Sequence, residues 1–260
     1  MRGKDVRLSR MLDKGKALII PMDHGITIGP VRGLKWSEMK VTIQKVVQGG
    51  ATAILLHKGI FRLLEETPNC GMILHLSAST KLSDTPNWKV TVGSIEEAVR
   101  LGVDAISIHV NLGSKFEAQM LESFGKISDA CDKWQIPLIS MVYPRGINIK
   151  DPYDPEVVAH AARVGAELGA DIIKTNYTGS YESFKPVVEG SPVPVVIAGG
   201  PKVDTNREFL QNVKDAMKAG AIGVAAGRNV FQHDNPTGMV SAIAKIIKDN
   251  GSIEEALQLL

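Results

Sequence analysis

The sequence predicts a single-domain (β/α)8 TIM barrel with a short N-terminal extension, and three observations carry that expectation. Short β-branched runs alternate with longer amphipathic stretches, the pattern of parallel strands joined by crossover helices. Four of the turns leading into those runs repeat one local plan. No Pro- or Ser-rich linker divides the 260 residues, a length that suits one large core better than two small ones.

In chain order, the strand runs are residues 17–24, 53–58, 72–76, 105–110, 137–143, 171–176, 194–198 and 223–226. Residues 89–92 read as a loop segment or a strand extension before the third helix. The recurring turns are Gly50-Ala51-Thr52, Gly102-Val103-Asp104, Gly169-Ala170-Asp171 and Gly220-Ala221-Ile222. In each a helix ends, glycine takes the left-handed C′ position and a small residue leads into a strand. These turns precede the second, fourth, sixth and eighth strands. A closed barrel shows such a fourfold repeat of paired βα units, and an open doubly wound sheet does not require it. Helix signals agree. Asp154-Pro155-Glu156 reads as an N-cap, a proline at N1 and an acid in the first turn, and Thr205-x-x-Glu208 as a capping box. Residues 1–16 form the extension, a lid or plug beneath the barrel of residues 17–260.

Composition narrows the function classes. A net charge of +2, without a basic stripe interleaved with aromatics, gives no argument for nucleic acid. Cys70 and Cys131 form no CxxC pair, which argues against disulfide frameworks and thiolate metal sites. Residues 1–16 contain Asp5 and Asp13 and lack an apolar core, so they do not read as a secretion signal, and no later stretch is long enough to span a membrane. The expected location is a reducing cytoplasm.

In a barrel of this type the chemistry sits at the C-terminal ends of the strands. Reading those positions gives Asp23-His24-Gly25, His57-Lys58-Gly59, His75, His109-Val110-Asn111, Tyr143-Pro144-Arg145-Gly146, Lys174, Gly199-Gly200-Pro201-Lys202 and Gly227-Arg228-Asn229. Lys174 is the most informative. Low dielectric favours the neutral form of an amine, and a free amine can attack a ketone to form a Schiff base. The plainer reading of Lys174 is a lysine that pairs with a substrate phosphate or a carboxylate. Tyr143 and Asp23 favour the imine, because carbinolamine dehydration and C–C cleavage need a proton shuttle at the mouth. Their own plainer readings are a core aromatic and a turn or N-cap residue. Gly199, Gly200 and Gly227 expose backbone N–H groups, and Arg228 adds a guanidinium, which together make a phosphate cradle. His24, His57, His75 and His109 lie at four strand ends, where a ring of imidazoles can bind zinc. Their dispersed spacing favours a hydrogen-bonding ring instead. His160 and His233 read as structural or surface residues.

Five segments together, Pro21-Met22-Asp23-His24-Gly25, Met141-Val142-Tyr143-Pro144-Arg145-Gly146, Ile173-Lys174-Thr175, Ala198-Gly199-Gly200-Pro201-Lys202 and Ala226-Gly227-Arg228-Asn229, resemble the class I aldolase family of archaeal fructose-bisphosphate aldolase type. The resemblance runs from about Arg7 to the C-terminus. Within the family it is to the 2-amino-3,7-dideoxy-D-threo-hept-6-ulosonate synthase branch, because Met141 stands where the fructose-bisphosphate aldolases carry tryptophan. The resemblance implies a Schiff base on Lys174, a proton donor in Tyr143 and a proton acceptor in Asp23. It places substrate and phosphate contacts on Asp23, His24, Gly25, Ile26, Thr27, Tyr143, Pro144, Arg145, Lys174, Gly199, Gly200, Gly227 and Arg228. The implied reaction transfers a three-carbon unit from a 6-deoxy-5-ketofructose 1-phosphate donor to L-aspartate semialdehyde, on a route to 3-dehydroquinate and the aromatic amino acids. No cofactor or metal is implied. The implied partners are the small-molecule sugar phosphate and aldehyde, with assembly as a homo-oligomer, pentamer or decamer. Class I fructose-bisphosphate aldolase is the alternative. A phosphosugar isomerase or a phosphosugar-binding barrel without imine chemistry is a further one.

Overall fold

A computed structural model describes residues 3–200 and 205–260; Pro201 and Lys202 of the expected seventh strand end lie outside them. The strands are β1 (Ala17–Pro21), β2 (Ala53–Leu56), β3 (Gly71–His75), β4 (Ser77–Ala78), β5 (Val90–Thr91), β6 (Ala105–Leu112), β7 (Leu138–Pro144), β8 (Ile172–Thr175), β9 (Val195–Ala198) and β10 (Gly223–Ala225). Eight of them close into a parallel barrel in the order β1-β10-β9-β8-β7-β6-β3-β2. β4 and β5 stand outside it, paired antiparallel through Ser77↔Thr91 and Ala78↔Val90. Residues 89–92 therefore contribute a short hairpin strand at the barrel mouth rather than an extension of the barrel.

Several barrel strands stop earlier than the sequence runs suggest, whereas β6 and β7 continue to Leu112 and Pro144, past the expected ends at 110 and 143. β1 ends at Pro21, and the chain then turns at Asp23 into a short helix, His24–Ile28. β2 ends at Leu56, and Lys58 opens another short helix, Lys58–Phe61. The four recurring turns are as expected: Gly50, Gly102, Gly169 and Gly220 have φ of +99°, +69°, +93° and +104°, a region that penalises any Cβ. Asp154 accepts from the N–H groups of Glu156 and Val157 at the head of the helix Pro155–Glu167. The Thr205 hydroxyl accepts from the Glu208 N–H before the helix Asn206–Lys218.

Alternation along each strand produces two cores. One face packs against the helices, with Leu18, Ile20, Ile54, Leu56, Leu74, Ile106 and Ile173 fully or nearly fully buried there. The other face fills the barrel with Ile19, Ala53, Leu55, Ile73, Ala105, Ile139, Met141, Ile172, Val196 and Ala225. Counting in twos up the inward face leads from Ile19 to Asp23, Leu55 to His57, Ile73 to His75, Ala105 to His109, Met141 to Tyr143 and Ile172 to Lys174. The same pleat that buries aliphatic side chains low in the barrel gathers the polar ones at its mouth.

The opposite end is closed by the helix Gly3–Met11. Met11 is completely buried in the inner cluster, with Leu8 and Leu12 packed beside it. Lys4 pairs with Asp171 at 3.0 Å, Arg10 with Asp104 at 3.3 Å, and Arg7 donates to the Val103 carbonyl at 3.0 Å. All three partners immediately precede barrel strands, so the helix is pinned across their N-terminal ends. No described helix is long and apolar enough to cross a membrane. We expect Met11→Ala to cost about 2–4 kcal/mol in urea unfolding, whereas Val6→Ala, on the half-exposed face of the same helix, stays within about 0.5 kcal/mol. Equal effects from the two changes would mean that Met11 does not plug the barrel.

Candidate active site

The strand ends enclose a cavity of about 470 Å3, open at the C-terminal face of the barrel. Lys174 rises into it from β8, only 7% exposed. Its ladder partners are Met141 on β7 and Val196 on β9, both inward-facing, which fixes the direction of its side chain. Lys174 forms no ion pair or hydrogen bond with another described residue through its side chain. A lysine kept in the interior without a carboxylate partner is not explained by structure-building, and the plainer reading of a carboxylate-paired lysine loses its support.

Tyr143 stands one inward step above Met141 and is 5% exposed. The His109 ring meets its edge at 5.0 Å, and the Arg145 guanidinium lies over its face at 4.6 Å. His109 is itself held by Asn111, Nε2 to Oδ1 at 2.9 Å. The phenol is thus held between His109 and Arg145 at the cavity wall.

Asp23 occupies the N-cap position of the helix His24–Ile28, but its side chain makes no capping bond. It turns instead toward imidazoles: Oδ1 lies 3.6 Å from His24 Nδ1, and Oδ2 lies 3.7 Å from His75 Nε2. Burial works to raise its pKa. The opposing influence of His75, then His24, Lys174 and His57, is larger, and it holds the carboxyl well below the usual carboxylate range. The histidines move the other way. Burial pushes His75 down to about 3 and lowers His24, His57 and His109, so all four are neutral at neutral pH. His75 Nδ1 is fixed by Ser107 Oγ at 2.6 Å, and its ring meets His57 edge-on at 5.2 Å. His24 packs against Phe231. Among the described residues no three His, Cys, Asp or Glu side chains converge in a way that could hold a metal ion.

The cradle lies across the ends of β9 and β10. Arg228 begins a short helix, Arg228–Phe231, and its Nη2 donates to the Gly200 carbonyl at 3.1 Å while its buried Nε has no partner. Asn229 Nδ2 ties the Gly199 carbonyl at 2.7 Å. A Cβ on Gly227 would meet His24 Cε1 at 2.6 Å and the Pro21 carbonyl at 3.0 Å, so only glycine allows β10 to approach β1 here.

Of the contacts expected from resemblance, Asp23, His24, Thr27, Tyr143, Arg145, Lys174, Gly199, Gly200, Gly227 and Arg228 line the cavity, whereas Gly25, Ile26 and Pro144 do not. Ile26 is 41% exposed, and Pro144 falls on the outward parity of β7. Lys58 leaves the mouth to pair with Glu97 at 3.1 Å, alongside Arg62. His160 is exposed, and His233 Nδ1 accepts from the Asn235 N–H. Lys81, Lys89, Tyr153 and Asn176 also line the cavity. Lys89 precedes β5, and the only signal for it was the β-branched run that it begins.

Comparison with known proteins follows the same lines. The family model of the DeoC/LacD family aldolases matches residues 17–233. The chain belongs to the DeoC/LacD aldolase family. It is 45% identical to the 2-amino-3,7-dideoxy-D-threo-hept-6-ulosonate synthase 1 of Archaeoglobus fulgidus, over 99% of this chain and 96% of that one. It is 40% identical to the 2-amino-4,5-dihydroxy-6-oxo-7-(phosphonooxy)heptanoate synthase of Streptomyces griseus, over 96% and 92%. Among solved structures, a Schiff-base-forming fructose-1,6-bisphosphate aldolase superposes with a TM-score of 0.88 at 32% identity, covering 94% of this chain and 99% of that one. An archaeal fructose-1,6-bisphosphate aldolase, with its catalytic lysine covalently bound to the carbinolamine intermediate of the substrate, also superposes with a TM-score of 0.88 at 32% identity, covering 94% of this chain and 99% of that one. This DeoC/LacD aldolase is an enzyme of the class I type.

The buried imidazoles make the stability of this aldolase pH-dependent. Unfolded, His75 takes up a proton near pH 6.5; folded, it does so only near pH 3. Between those values the unfolded state binds more protons, so stability is full above pH 6.5 and falls as the pH drops. His75→Asn should flatten the dependence of unfolding free energy on pH between 6 and 4 by about one proton. Parallel slopes for variant and wild type would contradict a neutral, buried His75.

Proposed function

We propose that the chain is a Schiff-base transaldolase that makes a seven-carbon 2-amino-6-oxo acid, with Lys174 as nucleophile, Tyr143 as proton donor and Asp23 as proton acceptor. The observation that carries this reading is the unpaired amine of Lys174, buried beside a fixed phenol and an ionised carboxylate.

The names of the relatives define the chemistry. The two products, of Archaeoglobus and Streptomyces respectively, are both seven-carbon acids with an amine on carbon 2 and a ketone on carbon 6. Cutting either between carbons 4 and 5 gives the same four-carbon amino-acid aldehyde, L-aspartate semialdehyde, and a three-carbon ketone. The nucleophile must therefore be the enamine of a three-carbon ketone, which is what a lysine imine provides. With a donor of the 6-deoxy-5-ketofructose 1-phosphate type, Lys174 attacks a ketone and loses water. C–C cleavage releases a phosphorylated three-carbon aldehyde and leaves its electron pair in the enamine. The enamine then attacks the semialdehyde, and hydrolysis frees the product. Tyr143 delivers a proton to the departing hydroxyl as the carbinolamine dehydrates. Asp23, ionised at neutral pH, accepts one as the C–C bond breaks. The protonated imine is the electron sink, so the scheme needs no metal. Gly199, Gly200, Gly227 and Arg228 supply a phosphate site on the ketone side of the imine, where the 7-phosphonooxy group of the product named for the Streptomyces relative would lie.

Met141 supports synthesis over simple fructose 1,6-bisphosphate cleavage. It is the direct ladder partner of Lys174, so its slim thioether borders the reacting carbons. The test is incubation with donor, with and without L-aspartate semialdehyde, and with fructose 1,6-bisphosphate alone. The reading expects turnover that depends on the semialdehyde; equally fast cleavage of the bisphosphate alone would favour an aldolase. Tyr143→Phe should lower kcat by roughly 10²–10⁴-fold while the folded enzyme is retained, and an unchanged rate would remove Tyr143 from its role.

A further inference from the structure

The cavity turns positive charge inward from two sides. Arg228 and the Gly199-Gly200 turn follow β10 and β9 on one side. Across the mouth, Arg145 follows β7 and Lys89 comes from the hairpin beyond β3, with Lys174 on β8 between the two groups. The first group is the phosphate cradle. Nothing so far accounts for the second.

Lys89 is held firmly where it stands. Its own N–H donates to Met120 Sδ at 3.5 Å, and the next residue pairs Val90↔Ala78 in the hairpin. Trp88 stacks on Phe116 at 4.4 Å, and the Asn87 carbonyl accepts from Asn111 Nδ2 at 2.9 Å. Its ammonium donates to Ser79 Oγ. Neither Lys89 nor Arg145 forms an ion pair with a described residue. Burial lowers the Lys89 pKa, the nearby Arg145 lowers it further, and the Asp23 carboxylate offsets only part of this. Two like charges facing one cavity with no acid in ion-pair contact destabilise the empty site, and a bound anion relieves them.

We propose that Lys89, with Arg145 beside it, binds the carboxylate of the amino-acid aldehyde acceptor and so determines acceptor specificity. The proposal rests on the transaldolase reading above and deepens it. In the product, the carboxylate carbon stands five bonds from the carbon joined to Lys174, so it lies away from the amine, toward the rim. Substituents on the ketone side stand within two or three bonds and fall to the cradle, as a 7-phosphonooxy group would. The incoming aldehyde takes the place of the outgoing one, whose phosphate stands six bonds from the imine carbon. Lys89 therefore meets the two anions in turn.

Acceptor selectivity tests this, with dihydroxyacetone phosphate as donor and either L-aspartate semialdehyde or uncharged butanal as acceptor. Wild type should prefer the semialdehyde. Lys89→Gln should reduce that preference about tenfold or more, while borohydride still traps the imine with dihydroxyacetone phosphate. Ser79→Ala, which cuts the tie but keeps the charge, should leave the preference intact. A Lys89→Gln enzyme that traps the imine and keeps its preference overturns the proposal. Absence of trapping in wild type with the 6-deoxy-5-ketofructose 1-phosphate donor instead overturns the transaldolase reading. Should Lys89→Gln not fold, L-2-aminobutyrate keeps the acceptor's charged end without its aldehyde. It should compete with the semialdehyde in wild type, and a lack of competition overturns the proposal.

Discussion

A lysine that faces inward from a parallel strand, with no carboxylate to neutralise it, is the constraint around which this barrel is arranged. Strand alternation leaves Lys174 no choice of direction: Ile172 below it and Met141 and Val196 beside it all face the barrel axis. A charge so placed is costly, and the usual remedy is a paired acid. Here the acid, Asp23, is spent on imidazoles instead, at 3.6 and 3.7 Å. What a pairing would have stabilised is left available for chemistry.

The surrounding groups share out charge accordingly. Burial lowers the four imidazoles, while His75, His24, Lys174 and His57 together hold one carboxylate ionised in a site whose burial favours its protonation. A ring of charged histidines would repel both Lys174 and Arg145. A ring of aliphatic residues would leave Asp23 unsupported. Low in the barrel, Met11 and the N-terminal helix seal the end where no polar group is needed, so access to the amine comes from the mouth alone. The cations at the mouth then face substrate anions from two sides.

Much of this was legible in the sequence, for physical reasons that also mark where legibility stopped. The four glycine turns are local devices, and left-handed φ is a property one residue can announce. Lys174 and Tyr143 could be placed because a polar residue after an apolar run signals a strand end. For Asp23 it was the plainer reading, a cap, that failed at the side chain: tertiary contacts with His75 and His24 outcompete the local N–H groups. Lys58 suggested a mouth residue, and Glu97, 39 positions away, draws it outward. The β4–β5 hairpin was only half legible: residues 89–92 read as a loop segment or a strand extension, and two-residue strands carry no periodicity that would show their pairing. Lys89 was missed with it, since its place depends on a stack between Trp88 and Phe116 that no spacing rule encodes.

Borohydride reduction in the presence of donor, followed by peptide mass mapping, addresses the central claim most directly. The account predicts a mass increase equal to a reduced three-carbon adduct on the peptide containing Lys174, absent from Lys174→Met. An adduct on another lysine, or one that persists in that variant, would contradict it.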